Sequence, residues 1–232
     1  MQIASVRQLL ETLESALVSE LRMFRGQSRD WPLLPSIGRY SADVHGYEDW
    51  SGFHDSLIYQ FLRLGHPYLT GYPTSGAESW VLAQHYGLPT RLLDTSTNPL
   101  KALFFAVNHP ADDAHDGVLW VFSYTGWRED LTEGQRDHWD KQLIPFLPAQ
   151  INPRLTAQEG SFISYPLPNN CKPLNPVDAI KQDDLTLLKV VVPAAAKATL
   201  RRELALLGIQ FRLLFPDLDG VARSIRLTEL ES

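Results

Sequence analysis

The stretch Gln84 to Thr97, QHYGLPTRLLDTST, constrains the fold more than any other segment. Pro89 disfavours helical geometry in the residue before it, so TRLLD enters as a short strand. Asn98 suits a helix N-cap and Pro99 the first helical position, so a helix starts directly after three consecutive hydroxyls, Thr95, Ser96 and Thr97. Arg91 and Asp94 stand in this otherwise apolar run. A buried charge without a partner costs several kcal/mol, so these groups either staple the fold together or form the floor of a site.

The flanking sequence sets the architecture. Val6, Leu9, Leu10, Leu13, Leu17 and Leu21 recur at helical spacing, and LRMFRGQ follows as a short extended stretch. DWPLLPSIGRY is a loop by its prolines and glycine. Phe53, Leu57, Phe61 and Leu64 mark a helix that stops at Gly65. Ser75 and Glu78 form a capping box for the next helix, and Gly87 suits the left-handed residue after its end. LKALFFAVN has an apolar face wide enough for burial. GVLWVFSY, SFISYP and LTLLKVVVP read as strands, and AAAKATLRRELALLG as a helix ended by Gly208. The polar stretch from Gly126 to Gln142 reads as an insertion or lid. This irregular interleaving predicts an α+β single domain with a mixed or antiparallel sheet core and flanking helices.

Composition removes several function classes. The chain has 232 residues, 44% of them hydrophobic, enough for one sizeable core. Its net charge of -6, with no basic block, lacks the footprint of a protein that coats nucleic acid, although a local basic groove stays compatible with it. Cys171 is the only cysteine, which excludes an internal disulfide framework and a thiolate metal cluster and fits a reducing compartment. The first residues lack the pattern of a signal peptide, and no apolar run approaches the ~20 residues of a membrane span. The expected location is cytoplasmic, with no membrane partner. Phosphate-loop, dinucleotide-fold, zinc-protease and hydrolase-elbow motifs are all absent.

Three constellations carry chemistry, and two further candidates read as structural. Arg25 offers a planar fork for phosphate or carboxylate, with Gly26 leaving the backbone open to close approach; the competing reading pairs Arg25 with Asp94 as a buried ion pair. The hydroxyls of Thr95, Ser96 and Thr97 suit a ribose, an amide or a phosphate at a helix start, or else are ordinary turn residues. Gln158 and Glu159, just before Gly160 and a strand, either point into a cleft or form a solvated turn. Asp217 and Asp219 read as helix caps rather than metal ligands, and His85 as a hydrogen-bonded structural group. No metal site is expected.

Taken together, FRGQSRDWPLLPSIGR, LAQHYGLPTRLLDTSTNPLKALFFA, INPRLTAQEGSFIS and FPDLDGVARSI resemble the FRG domain, a mostly bacterial family named after the tripeptide seen here as Phe24-Arg25-Gly26. With the opening helix read from its apolar spacing at 1–20, the resemblance puts the domain at 21–232. The family usually has an aromatic residue and then Thr after the Asp; here Thr95 takes the aromatic place and Ser96 that of the Thr. A second resemblance is to the ADP-ribosyltransferase fold. Its order of a strand-borne Arg, a hydroxyl run leading into a helix, and a Glu or Gln near a later strand is matched by Arg25, DTSTNPLKALFFA, and Gln158 or Glu159. This likeness implies NAD as substrate. Arg25, Gln158 and Glu159 are then the catalytic candidates, and Gly26, Gln84, His85, Tyr86, Arg91, Asp94, Thr95 and Ser96 the ligand-binding ones, with Tyr86 stacking on nicotinamide. It is compatible with a toxin or anti-phage effector that modifies RNA, DNA or protein and has an antitoxin protein as a possible partner; Arg22, Arg25, Arg29, Arg39 and Arg91 offer a local basic rim that favours RNA. The rival expectations are an NAD hydrolase, a ribonuclease, or a non-catalytic nucleotide-sensing module.

Overall fold

A computed structural model of the chain describes residues 1–15, 21–43, 46–69, 71, 73, 75–125, 141–149 and 152–229. Its strands are β1 (Leu21–Gln27), β2 (Leu92–Ser96), β3 (Gly117–Tyr124), β4 (Ile144–Phe146), β5 (Gly160–Ser164) and β6 (Leu185–Val192). They form one sheet in the order β4-β5-β2-β1-β3-β6, with every neighbouring pair antiparallel. A parallel bridge between Gln2 and Val191 adds the first residues to the β6 edge. The helices are α1 (Val6–Ser15), α2 (Trp50–Gly65), α3 (Gly76–His85), α4 (Pro99–Val107), α5 (Pro153–Ala157), α6 (Lys197–Leu206), α7 (Phe211–Leu214) and α8 (Leu218–Glu229). The chain is thus α+β. The region read as a lid lies, except for Lys141 and Gln142, outside the described residues.

Alternation along the strands builds a core on each face of the sheet. Phe24, Leu119, Val121, Val190 and Val192 pack with α1, α4 and α6. Met23, Val118, Trp120, Phe122 and Tyr124 point the other way, onto Leu33, Ile37, Trp50 and the 165–177 segment. A third cluster joins Leu92, Ile144, Phe146 and Phe162 to α2, α3 and α5. Helix α4 crosses so close to β1 that a Cβ on Gly26 would lie 1.9 Å from the Ala102 carbonyl oxygen. Beyond β1, the buried Lys197 Nζ donates to the carbonyls of Ser28 and Asp112 at 2.7 and 2.8 Å, tying α6 to the end of that strand.

The local signals act as their chemistry predicts. The Ser75 hydroxyl accepts from the Glu78 N–H at 3.2 Å, and Asn98 Oδ1 accepts from Leu100 and Lys101 N–H at 3.0 and 3.3 Å. Gly87 and Gly208 close α3 and α6 with φ of 84° and 81°. Asp217 Oδ1 takes the Gly220 N–H at 2.6 Å, a capping role. One boundary moves: β2 starts at Leu92 rather than Thr90 and runs through Thr95 and Ser96. The cause is pairing with β5, which continues from Leu92 opposite Ser164 to Ser96 opposite Gly160. Two of the three hydroxyls are therefore strand residues.

Candidate functional site

The sheet is stitched unevenly. Strand β1 pairs with β3 along its whole length, from Leu21 opposite Tyr124 to Gln27 opposite Val118. With β2 it shares a single register pair, Phe24 opposite Ser96. Past that pair a side chain replaces the ladder: Arg25 Nη1 donates to the Asp94 carbonyl at 2.7 Å and lies 3.6 Å from the Asp94 carboxylate. A cleft of about 550 Å³ opens here. Its walls come from β1, β2, β5, α3, α4, α5 and the 3-10 turn Ser36–Arg39.

Asp94 is held from two sides. Gln84 Nε2 donates to its Oδ1 at 2.6 Å, while Gln84 Oε1 accepts from the Thr90 hydroxyl. Thr90 is in turn locked to the 3-10 turn, its N–H donating to Ser36 Oγ at 3.0 Å and its carbonyl accepting from Ser36 Oγ at 3.3 Å. A chain of hydrogen bonds therefore runs Ser36–Thr90–Gln84–Asp94–Arg25 along one wall. The question raised by QHYGLPTRLLD has a divided answer. Gln84, Thr90 and Asp94 build the cleft, whereas Arg91 is buried elsewhere, its Nε donating to the Tyr165 carbonyl at 2.9 Å and its guanidinium 5.2 Å from the Trp80 ring centre.

The cleft is electropositive. Arg25, Arg39 and Arg154 line it, and Asp94 is the one carboxylate among the described residues that does so. The Arg25 side chain is only 16% exposed, and its Nε has no hydrogen-bond partner among the described residues. Burial pulls the Arg25 guanidinium below its ordinary pKa, Asp94 opposes the shift, and Arg39 adds to it. His85 also lines the cleft. Burial first, and then the charge of Arg154, hold its imidazole below the usual value against the pull of Asp217.

The sequence of the N-terminal part of the chain matches a known family. Residues 20–115 fit the family model of the FRG domain. This segment is an FRG domain. It contributes β1, the 3-10 turn, α2, α3, β2 and α4, and so every cleft wall except those of β5 and of the 152–158 segment that holds α5. No curated protein and no solved structure matches the chain.

Of the residues singled out from sequence, the cleft gathers Arg25, Gly26, Gln84, His85, Asp94, Thr95, Ser96 and Gln158. Several are engaged within the protein. Thr95 Oγ1 lies 2.7 Å from Ser161 Oγ, on the opposite face of the sheet from Asp94. Ser96 Oγ donates to the Gln158 carbonyl at 2.7 Å and accepts from the Asn98 N–H at 3.0 Å. Gln158 Nε2 donates to the Leu214 carbonyl at 3.1 Å. The gap left by the absent Gly26 Cβ is filled by α4, so helix packing demands that glycine whatever else approaches it.

Three of those residues stand apart. Tyr86 is 69% exposed, meets the Phe61 ring at a tilt and the His85 ring edge-on, and is not among the cleft-lining residues. Arg91 is structural as described. Glu159 turns to α4: Lys101 Nζ lies 2.8 Å from Oε1, and Asn98 Nδ2 donates to the same oxygen at 3.2 Å. The hydrogen bond from Lys101 lowers its carboxyl pKa, burial opposes, and Asn98 assists. Its φ of 47° makes it the one non-glycine residue in the left-handed region among those described. Arg154 was missed from sequence. The signal was present, since Asn152-Pro153 is an N-cap followed by proline at the first helical position, and Asn152 Oδ1 does accept from the Leu155 N–H at 2.8 Å. Among the described residues no group of three His, Cys, Asp or Glu side chains is placed to hold a metal ion, and no helix is long and apolar enough to cross a membrane.

Proposed function

We propose that the cleft binds NAD and that the protein transfers ADP-ribose from it to a macromolecular acceptor, RNA being the favoured class. The observation that carries this reading is the parting of β1 from β2, with Arg25 and Asp94 bridging it at the head of an electropositive cleft. A volume of about 550 Å³ falls within the range of small-molecule sites. The guanidiniums suit the two phosphates, and Phe24, Phe105 and Tyr40 supply aromatic surface for a base or the nicotinamide ring. Arginines concentrated at one opening of a chain of net charge -6 favour a polyanionic acceptor.

The chemistry asks little of the protein beyond placement and charge. The glycosidic bond between nicotinamide and the ribose C1′ breaks, its electron pair leaves with the nicotinamide nitrogen, and positive charge develops on the ribose. Asp94, its carboxylate 65% exposed at the cleft and steadied by Gln84, is the group that stabilises this charge or accepts a ribose hydroxyl. The acceptor's nucleophile then bonds to C1′ and loses its proton to solvent. In this reading Glu159 fixes the turn into β5 through Lys101 rather than touching the ligand. Such an activity suits a toxin or anti-phage effector under the restraint of an antitoxin.

A nucleotide-sensing module is the second reading, favoured by the internal engagement of the Thr95 and Ser96 hydroxyls, which leaves few side chains for turnover. Incubating the protein with labelled NAD and total cell RNA, DNA and protein separates the possibilities. The transferase reading expects label in the RNA fraction together with free nicotinamide. Nicotinamide without label identifies a hydrolase. Binding of NAD with neither product identifies the sensor.

A further inference from the structure

Resting on the dinucleotide reading above, we infer that Arg39 and Arg154, rather than Arg25, grip the ligand's pyrophosphate and set the specificity of the cleft. The resemblance to ADP-ribosyltransferases gives that task to Arg25. Its guanidinium is instead engaged in closing the gap between two strands, with one Nη on the Asp94 carbonyl and the carboxylate beside it. Arg25 is a positioning residue: it fixes Asp94.

The other two guanidiniums are differently placed. Arg39 is exposed at the end of the 3-10 turn and Arg154 half-buried on α5, so they approach the same cleft from separate elements. Neither side chain donates a hydrogen bond or forms an ion pair among the described residues. Arg154 rests on the Phe215 ring, 4.4 Å from its centre, which orients the fork by its face and leaves the in-plane N–H donors available. Both supports are stiff. Ser36 pins the 3-10 turn to Thr90, and Asn152 caps α5.

Charge counting gives the ligand class. Asp94 balances Arg25, which leaves the charges of Arg39 and Arg154 facing the cleft, and the diester pyrophosphate of a dinucleotide carries two negative charges. Each fork accepts one phosphate in the bidentate manner that arginine favours.

The test is isothermal titration of the full chain with ADP-ribose, inorganic pyrophosphate and nicotinamide riboside, comparing wild type with Arg39→Gln, Arg154→Gln and Arg154→Lys. Each Gln variant is expected to weaken ADP-ribose and pyrophosphate binding roughly 10- to 100-fold, the effect of losing a charge-assisted hydrogen-bonded pair. Arg154→Lys falls between, because it keeps the charge and loses the fork. Affinity for nicotinamide riboside, which has no phosphate, stays at the wild-type value, and an unchanged thermal midpoint shows that the fold is intact. If pyrophosphate binds and weakens in the variants while ADP-ribose does not bind wild type, the phosphate grip stands and the dinucleotide reading fails. If pyrophosphate does not bind wild type, or binds both Gln variants as tightly, the inference is overturned.

Discussion

Replacing Gly26 by alanine adds one methyl group, and the surroundings leave it nowhere to go. The new Cβ would stand 1.9 Å from the Ala102 carbonyl oxygen and 2.7 Å from the Ala106 nitrogen, both backbone atoms of α4. No rotamer change relieves such contacts, so α4 must retreat from β1 by about 1 Å, against the close packing typical of protein interiors. The helix is not free to do so cheaply, because Ala102, Leu103, Ala106 and Val107 are all buried in the core beneath it. Overpacking of a core costs roughly 1–3 kcal/mol and occasionally more, and obstruction by backbone puts Gly26→Ala at about 3 kcal/mol. An unfolding entropy of about 2.1 cal/mol/K per residue gives ~0.5 kcal/mol/K for this chain, so the midpoint should drop by about 6 °C. Differential scanning calorimetry reads this directly. An unchanged midpoint accompanied by lost ligand binding would refute the reasoning, since it would mean that the ligand rather than α4 needs the missing side chain.

Three further outcomes follow from the same geometry. Arg91→Ala should destabilise the fold by about 3 kcal/mol in chemical denaturation, because it empties a buried site beside Trp80 and leaves the Tyr165 carbonyl short of a donor; a loss below about 1 kcal/mol would contradict the structural role. The His85 imidazole should titrate below its ordinary value in NMR, move up in Arg154→Gln and down in Asp217→Asn; identical titrations in both variants would remove the charges as its cause. The Glu159 pKa is lowered on folding, so its contribution to stability is present above the unfolded value and disappears as pH falls through the folded one. Glu159→Gln should therefore lose stability at pH 7, by less than about 1 kcal/mol because the carboxylate is nearly half exposed to screening solvent. Its stability curve should also be flatter in the acid range, and one parallel to wild type throughout would contradict the assignment.

What the sequence could convey differs between the elements. The caps at Ser75 and Asn98 and the glycines at 87 and 208 act through bonds within a few residues, so their meaning is local and readable. The end of β2 is not local: only pairing with Gly160 and Ser161 of β5 makes Thr95 and Ser96 strand residues, and that alternation sends the Thr95 hydroxyl to the far face. Arg91 and Asp94 look alike in the sequence, two charges three residues apart, yet one faces Trp80 in the interior and the other faces the cleft. Helix α8 was legible only as capping aspartates, because Leu218, Val221 and Ile225 are 87%, 47% and 56% exposed and so do not mark a buried face. Glu159 and Gln158 are adjacent, and the left-handed turn at Glu159 separates their directions in a way that residue identity does not announce.

The central claim is that the parting of β1 from β2 forms an NAD site whose working carboxylate is Asp94. The most direct test is nicotinamide release from NAD, measured in the presence of total cell RNA for wild type, Asp94→Asn and Glu159→Gln. The account predicts turnover by wild type, a loss of roughly 100-fold or more in Asp94→Asn, of the size seen when a charge-stabilising group is removed, and near wild-type release by Glu159→Gln. No nicotinamide from the wild type, or full turnover by Asp94→Asn, would contradict it.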